Sequence, residues 1–247
     1  MRESIFLNGI LTNAEVWYGL KKSELKELEG LDKMLIRKIL DTPFSTPTEA
    51  IQLELGLISI PTLIKARRIN YLHYLATRSE SEMLFKFFKA QWTYSGKDDW
   101  TNQVRLDLKD LQIREDLEFI KSKSKQVFKK LVKTKVLEFE FKRLSQLKNT
   151  HSKMSNLVYR KLEMQEYFYQ ENCDTQQAKL MFKFRCRMAN FSENFRGPAG
   201  PQGCKLCKIH LDNQETSFNC TKIKESVQIG DHQYSDIFKS RFPARLF

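Results

Sequence analysis

"PTLIKARRINYLHYLATR", residues 61–78, decides the class of fold. Ile64, Ile69, Leu72 and Leu75 return near the 3.6-residue period, and nothing inside the run breaks a helix. Pro61 falls in the first turn, where its missing N–H is no loss. The stretch therefore reads as an amphipathic helix that buries one stripe, with Arg67 and Arg68 lying off it. His73, inside "NYLHYL", reads as a core or interface histidine.

The same reading extends both ways. "SELKELEGLDKMLIRKIL" (23–40) spaces Leu25, Leu28, Leu31, Leu35 and Ile39 for a second helix, with Ser23 as its N-cap. In "TPFSTPTEAIQLELG" (42–56) two prolines break that helix, and a short one runs to Gly56. Ser79 is placed to cap "ESEMLFKFFKAQW", and "YSGKDDW" (94–100) reads as a turn. Trp100, Val104, Leu108 and Leu111 then resume the period. From Arg114 to about Lys148 there is neither Gly nor Pro, so one long helix is expected, striped by Leu117, Ile120, Phe128, Leu131 and Leu147 and thickened by "VLEFEFKRL" (136–144). "LVYRKLEMQEYFYQ" (157–170) and "DTQQAKLMFKFRCRMANF" (174–191) read as a last helical region, with Asp174 capping its second part. "RGPAGPQG" (196–203) cannot continue a helix and is the one clear linker. The class is mainly α: a multi-helix bundle with a long basic helix, followed by a small zinc-stabilised knuckle.

Composition agrees. A hydrophobic share of 41% with 18 Phe argues against disorder, and 9 Gly with 6 Pro against a turn-rich β-sandwich. No run approaches the ~18 apolar residues of a membrane span, so no membrane partner is expected. The start, "MRESIFLNGIL", lacks a signal-peptide pattern. Five cysteines, three of them clustered, suit a reducing compartment, hence an intracellular protein of nucleus or cytoplasm.

That cluster is "CKLCKIHLDNQETSFNC" (204–220). Cys204, Cys207, His210 and Cys220 form C-x2-C-x2-H-x9-C, four S and N donors of the kind Zn²⁺ takes in a tetrahedron. Lys205 and Lys208 beside the sulfurs favour thiolate. So short a segment has no core of its own, and a bound ion would supply most of its folding free energy. His232 is an alternative fourth ligand to His210. With all four positions filled by protein the site reads as structural. The alternative is a loop with free thiols.

The net charge of +12 favours an anionic partner, RNA or DNA. Between Lys121 and Lys148 ten Lys or Arg face two acids, Glu138 and Glu140. Lys121, Lys125, Lys129, Lys130, Lys133, Lys135, Lys142 and Arg143 are the candidate phosphate contacts. A merely solvated helix face is the other reading. Phe139, Phe141, Tyr159, Tyr167 and Tyr169 could stack bases, although helical spacing makes them core. No G-x-S-x-G, P-loop or H-E-x-x-H occurs, and Asp98–Asp99 opens a helix as a cap. Cys173 and Cys186 read as buried hydrophobes. The sequence shows no active site.

Three stretches together carry a resemblance: "LNGILTNAEVWYGL", then "EAIQLELGLISI" with "RRINYLHYL", and the terminal cysteine cluster. From about Arg2 to Cys220 the chain resembles the C-terminal part of non-LTR (LINE-type) retrotransposon reverse transcriptases, just after the polymerase palm. The resemblance implies a thumb-like helical region at 1–100, a helical linker with the long basic helix at 101–196, linker and zinc knuckle at 197–225, and a tail at 226–247. It implies a fragment of such a polyprotein, starting at an internal Met, that helps hold template RNA or target DNA and partners the polymerase core of the same polyprotein. The family's aromatic-x-Asp-Asp strand turn has no counterpart, so no catalytic residue carries over and no enzyme is expected. The cysteine spacing also departs from the retroviral-type C-x2-C-x4-H-x4-C. A helical protein-interaction scaffold with a structural zinc is the competing reading.

Overall fold

The computed structural model describes residues 2–94, 96–148, 151, 154, 157–169, 173–189, 191, 203, 204, 207–209, 211, 213, 214, 216 and 220–222. They are mainly helical, with no β-strand among them. A π-helical turn, Arg2–Leu7, runs into α1 (Asn8–Ile10), and a 3₁₀ turn, Ala14–Val16, precedes α2 (Lys22–Leu40). Then come α3 (Thr48–Leu55), α4 (Ile60–Ala76), α5 (Met83–Thr93), α6 (Trp100–Asp110), α7 (Leu117–Lys121), α8 (Lys125–Lys148) and α9 (Thr175–Arg185). No helix among the described residues is long and apolar enough to cross a membrane. The chain divides into two compact units, Met1–Ile36 with Ile58–Arg143, and Arg37–Leu57 with Leu144–Phe247.

In the first unit α4 is the hub, packed by the 3₁₀ turn and by α5, α6 and α7. Ile64, Ile69, Leu72 and Leu75 are buried as their spacing requires, and so are Trp100, Val104, Leu108 and Leu111. His73 is buried too, its Nε2 2.9 Å from the Lys123 carbonyl and its ring stacked on Phe128. Asp99 caps α6: its carboxylate accepts from Asn102 N at 2.8 Å and from Gly96 N at 2.5 Å. Burial opposes the Asp99 charge, but these N–H donors outweigh it and hold the carboxyl below its ordinary range.

Two long-range ion pairs and one buried carboxylate that the spacing did not disclose lie in this unit. Arg68 is buried, against the expectation that it lies off the stripe, because Asp107 of α6 takes its Nε at 2.6 Å and its Nη2 at 3.1 Å. Burial raises the Asp107 carboxyl even with that guanidinium beside it. Asp32 turns inward to take Arg2 through two bonds of 2.7 Å. The inward row of α2 therefore holds Asp32, Ile36 and Leu40, while Leu31 and Ile39, expected inside, are exposed. Glu140 is wholly buried in α8, accepting from Ser59 at 2.7 Å, from Thr62, and from Arg143 at 2.7 Å.

Other boundaries shift for local reasons. Helix α2 starts at Lys22, so Ser23 lies inside it, and Glu24 takes the Lys21 N–H instead. Helix α5 starts only at Met83, because the Ser79 and Glu82 side chains hold the preceding turn. The expected single helix from Arg114 to Lys148 is two. Asp116 caps α7, and "KSKSK" lets serine hydroxyls compete for the backbone: Ser122 donates to the Phe119 carbonyl, and Ser124 accepts from Val127 N.

The second unit gathers around Glu54, which is fully buried at the end of α3. Its carboxylate accepts from Tyr159, from Tyr167 at 2.5 Å, and from Arg185 Nε at 2.8 and 3.1 Å. Residues 157–169 are not the expected helix. They pass as extended chain and a 3₁₀ turn (Glu166–Phe168), so that both tyrosines reach Glu54 and Met164 pairs with Leu55. Gly56 permits this approach: at φ 62° it closes α3, and a Cβ there would lie 2.5 Å from Glu163 C and Met164 N. Asp174 caps α9 in a capping box with Gln177. The helix stops at Arg185 rather than continuing to Phe191, since Arg187 adopts φ 52°.

Burial first, then the Glu54 anion, pushes the Tyr159 and Tyr167 hydroxyls well above their ordinary range. The folded pKa exceeds the unfolded one, so this contribution is complete below about pH 10 and declines above it, where the unfolded tyrosines ionise first. Urea midpoints measured between pH 8 and 11 should hold steady and then drop from about pH 10. The drop should be shallower in Tyr167→Phe.

Candidate metal centre and nucleic-acid interface

Cys204, Cys207 and Cys220 come together as their spacing anticipates. Their Sγ atoms lie within 4.8 Å of one another, with Cys204 and Cys220 4.0 Å apart. Two local features close the turn: Lys208 N donates to the Cys204 carbonyl at 2.8 Å, and Gly203 bridges Leu211. Lys208 holds φ 58°, which turns the chain after Cys207. Asn213 caps the next turn by accepting from Thr216 N at 2.7 Å. Buried Gln214 donates from its amide to the Phe184 carbonyl, tying the cluster to the C-terminal end of α9. Cys204 and Cys220 are buried and Cys207 partly so.

Three close thiol sulfurs could hold a metal ion. A tetrahedral ion with Zn–S of about 2.3 Å spaces its sulfurs about 3.8 Å apart, close to the distances here. Lys208 is exposed, beside Cys207. His210, His232, Lys205 and most of the 196–203 linker lie outside the described residues. No family model, no curated protein and no solved structure matches this chain.

Helix α8 sorts the basic candidates. Its buried row runs Phe128, Val132, Val136, Glu140, Leu144 at four-residue steps. Lys125, Lys129 and Lys133 form a parallel row, exposed, with Lys130 and Lys142 exposed as well. Three candidates are otherwise engaged. Arg143 neutralises Glu140, Lys135 pairs with Glu138 at 2.9 Å, and Lys121 stands near Glu80 and Glu118 while its Nζ lies over Phe85. Both acids that tempered the run are thus matched inside the helix, and no acidic residue falls between Phe119 and Leu137. That leaves Lys125, Lys129, Lys130, Lys133 and Lys142 as the exposed members of the set without an ion pair among the described residues.

Among the aromatics, Tyr159 and Tyr167 serve Glu54, and Phe139 packs on the first unit's core beneath Lys65. Cys186 is buried. Burial, and then the Asp174 anion, raises the half-buried Cys173 thiol, which disfavours its thiolate.

Proposed function

We propose that this chain is a non-catalytic nucleic-acid-binding module whose α8 face meets the phosphates of RNA or DNA, with a structural zinc pinning the end of the second unit. The observation that carries it is the exposed set Lys125, Lys129, Lys130 and Lys133 in a stretch without acids. Lysines there act as point charges, giving affinity without sequence readout. Cys204, Cys207 and Cys220 would supply three ligands to the zinc, with His210 or His232 as the fourth. The ion when bound cross-links a segment too short to bury a core. The resemblance to the C-terminal part of a non-LTR reverse transcriptase supports template RNA or target DNA as the ligand and the polymerase core as neighbour.

The test is a salt titration on a labelled single-stranded 12-mer. Binding should weaken steeply with salt. Changing Lys125, Lys129, Lys130 and Lys133 together to Gln should flatten the log–log slope by about 3, from the ~0.7 ions released per phosphate. An unchanged slope would make α8 a solvated face.

A second reading is a protein-interaction scaffold. It is favoured by an open groove of about 530 Å³ between the Ala14–Val16 turn and α2, where Tyr18 and Leu31 are exposed. Retained binding of a protein partner by a chain that ignores nucleic acid at low salt would select it.

A further inference from the structure

The first unit holds a second aromatic surface that the basic helix does not explain. Arg78 lies 4.0 Å over the Tyr74 ring, Tyr74 stacks on Tyr71 at 5.7 Å, and Tyr71 meets Trp100 edge-on at 5.8 Å. Trp100 is fixed by donating to the Glu15 carbonyl at 2.8 Å. This ladder leads from a cation at the surface into a crevice of about 240 Å³ between α4 and α5. Tyr71, Phe88 and Trp100 line it, Phe87 stands at its mouth 68% exposed, and the rim carries the exposed amide of Gln91. Glu82, the N-cap of α5, pairs with Arg78 at 3.6 Å, and the exposed Lys86 and Lys89 lie on the face of α5 away from the crevice.

We propose that this crevice takes one unpaired nucleobase of a single-stranded nucleic acid. The volume is below the ~300 Å³ of a drug-sized pocket, which suits one planar ring system. Aromatic walls accept any base by its π-face. The Gln91 amide can offer donor and acceptor to a base edge. Arg78, which also reaches Glu82 at 3.6 Å, is the cation beside the ladder that an adjoining phosphate would meet. A duplex, whose bases are already stacked, is not held there. The inference extends the nucleic-acid reading by adding a strand-selective site.

Phe87→Ala tests it, since so exposed a ring contributes little to the fold; the melting temperature checks that. Anisotropy is read with a labelled oligoadenylate 12-mer and with a 12-base-pair duplex. Phe87→Ala should lose about tenfold on the single strand, stay within about twofold on the duplex, and Phe87→Tyr should restore binding. The single strand should also quench the wild-type tryptophan fluorescence. Equal loss on both forms, or no loss on the single strand, overturns the crevice while leaving the α8 interface standing. Failure of the wild type to bind either form overturns both. A wild-type dimer that Phe87→Ala turns into a monomer would assign the surface to protein contact and overturn the base site.

Discussion

Arg185→Met should cost about 3–5 kcal/mol of folding stability, read as a lower urea midpoint of the second unit. Arg185 is 1% exposed, and burial works against its charge. The Glu54 carboxylate more than offsets that, with the Tyr159 and Tyr167 hydroxyls behind it, and holds the guanidinium above its ordinary range. Removing the cation leaves the Glu54 carboxyl in a dry interior with the Tyr159 and Tyr167 hydroxyls as its side-chain partners among the described residues, and breaking a buried pair by removing one member is the expensive case. Glu54→Gln should fail similarly by stranding Arg185. The double variant should then cost less than the sum by more than about 1 kcal/mol, because the second change removes the orphan made by the first. Lys183→Met, which removes only an exposed pair with Asp41, should be barely measurable. A loss below about 1 kcal/mol for either single change would mean that water reaches the network.

If zinc fills the cysteine cluster as proposed, Cys207→Ser should drop bound zinc from one per chain to well below that. Amide exchange should speed up from Gly203 to Lys222 while the helical circular dichroism survives. The Gln214–Phe184 bond is one tie between the cluster and α9, and it should loosen with it. A disulfide between Cys204 and Cys220 is the chemical rival, their sulfurs being 4.0 Å apart. It would respond to a reducing agent, whereas the metal site should respond to a chelator. Metal content equal in variant and wild type would count against the assignment.

Much of the helical architecture was legible because apolar spacing reports directly on which face is buried. The rows through α4 and α6, the caps at Asp98 or Asp99 and at Asp174, and the αL glycine Gly56 all followed from local chemistry. Missed were features set by partners far along the chain. Arg68 reads as surface until Asp107 is folded against it, 39 residues away. Asp32 turned α2 by one position to meet Arg2. The segment 157–169 carries helical periodicity, yet Glu54 captures Tyr159 and Tyr167 and draws it out of helix. Periodicity cannot anticipate such a trade, because the buried carboxylate lies more than a hundred residues upstream. The three cysteines were legible since C-x2-C fixes two donors by itself. Which of the basic candidates pair with acids was not legible, because ion pairs do not show in a charge count.

The central claim, that the α8 face is where the polyanion lies, is tested most directly by lysine protection. The protein is acetylated briefly with and without a saturating single-stranded 12-mer, and each lysine is scored by mass spectrometry. Protection concentrated at Lys125, Lys129, Lys130 and Lys133, with Lys26 and Lys33 of α2 unprotected, is the expected result. Protection spread evenly over all lysines, or none on α8 while the oligonucleotide is bound, would contradict it.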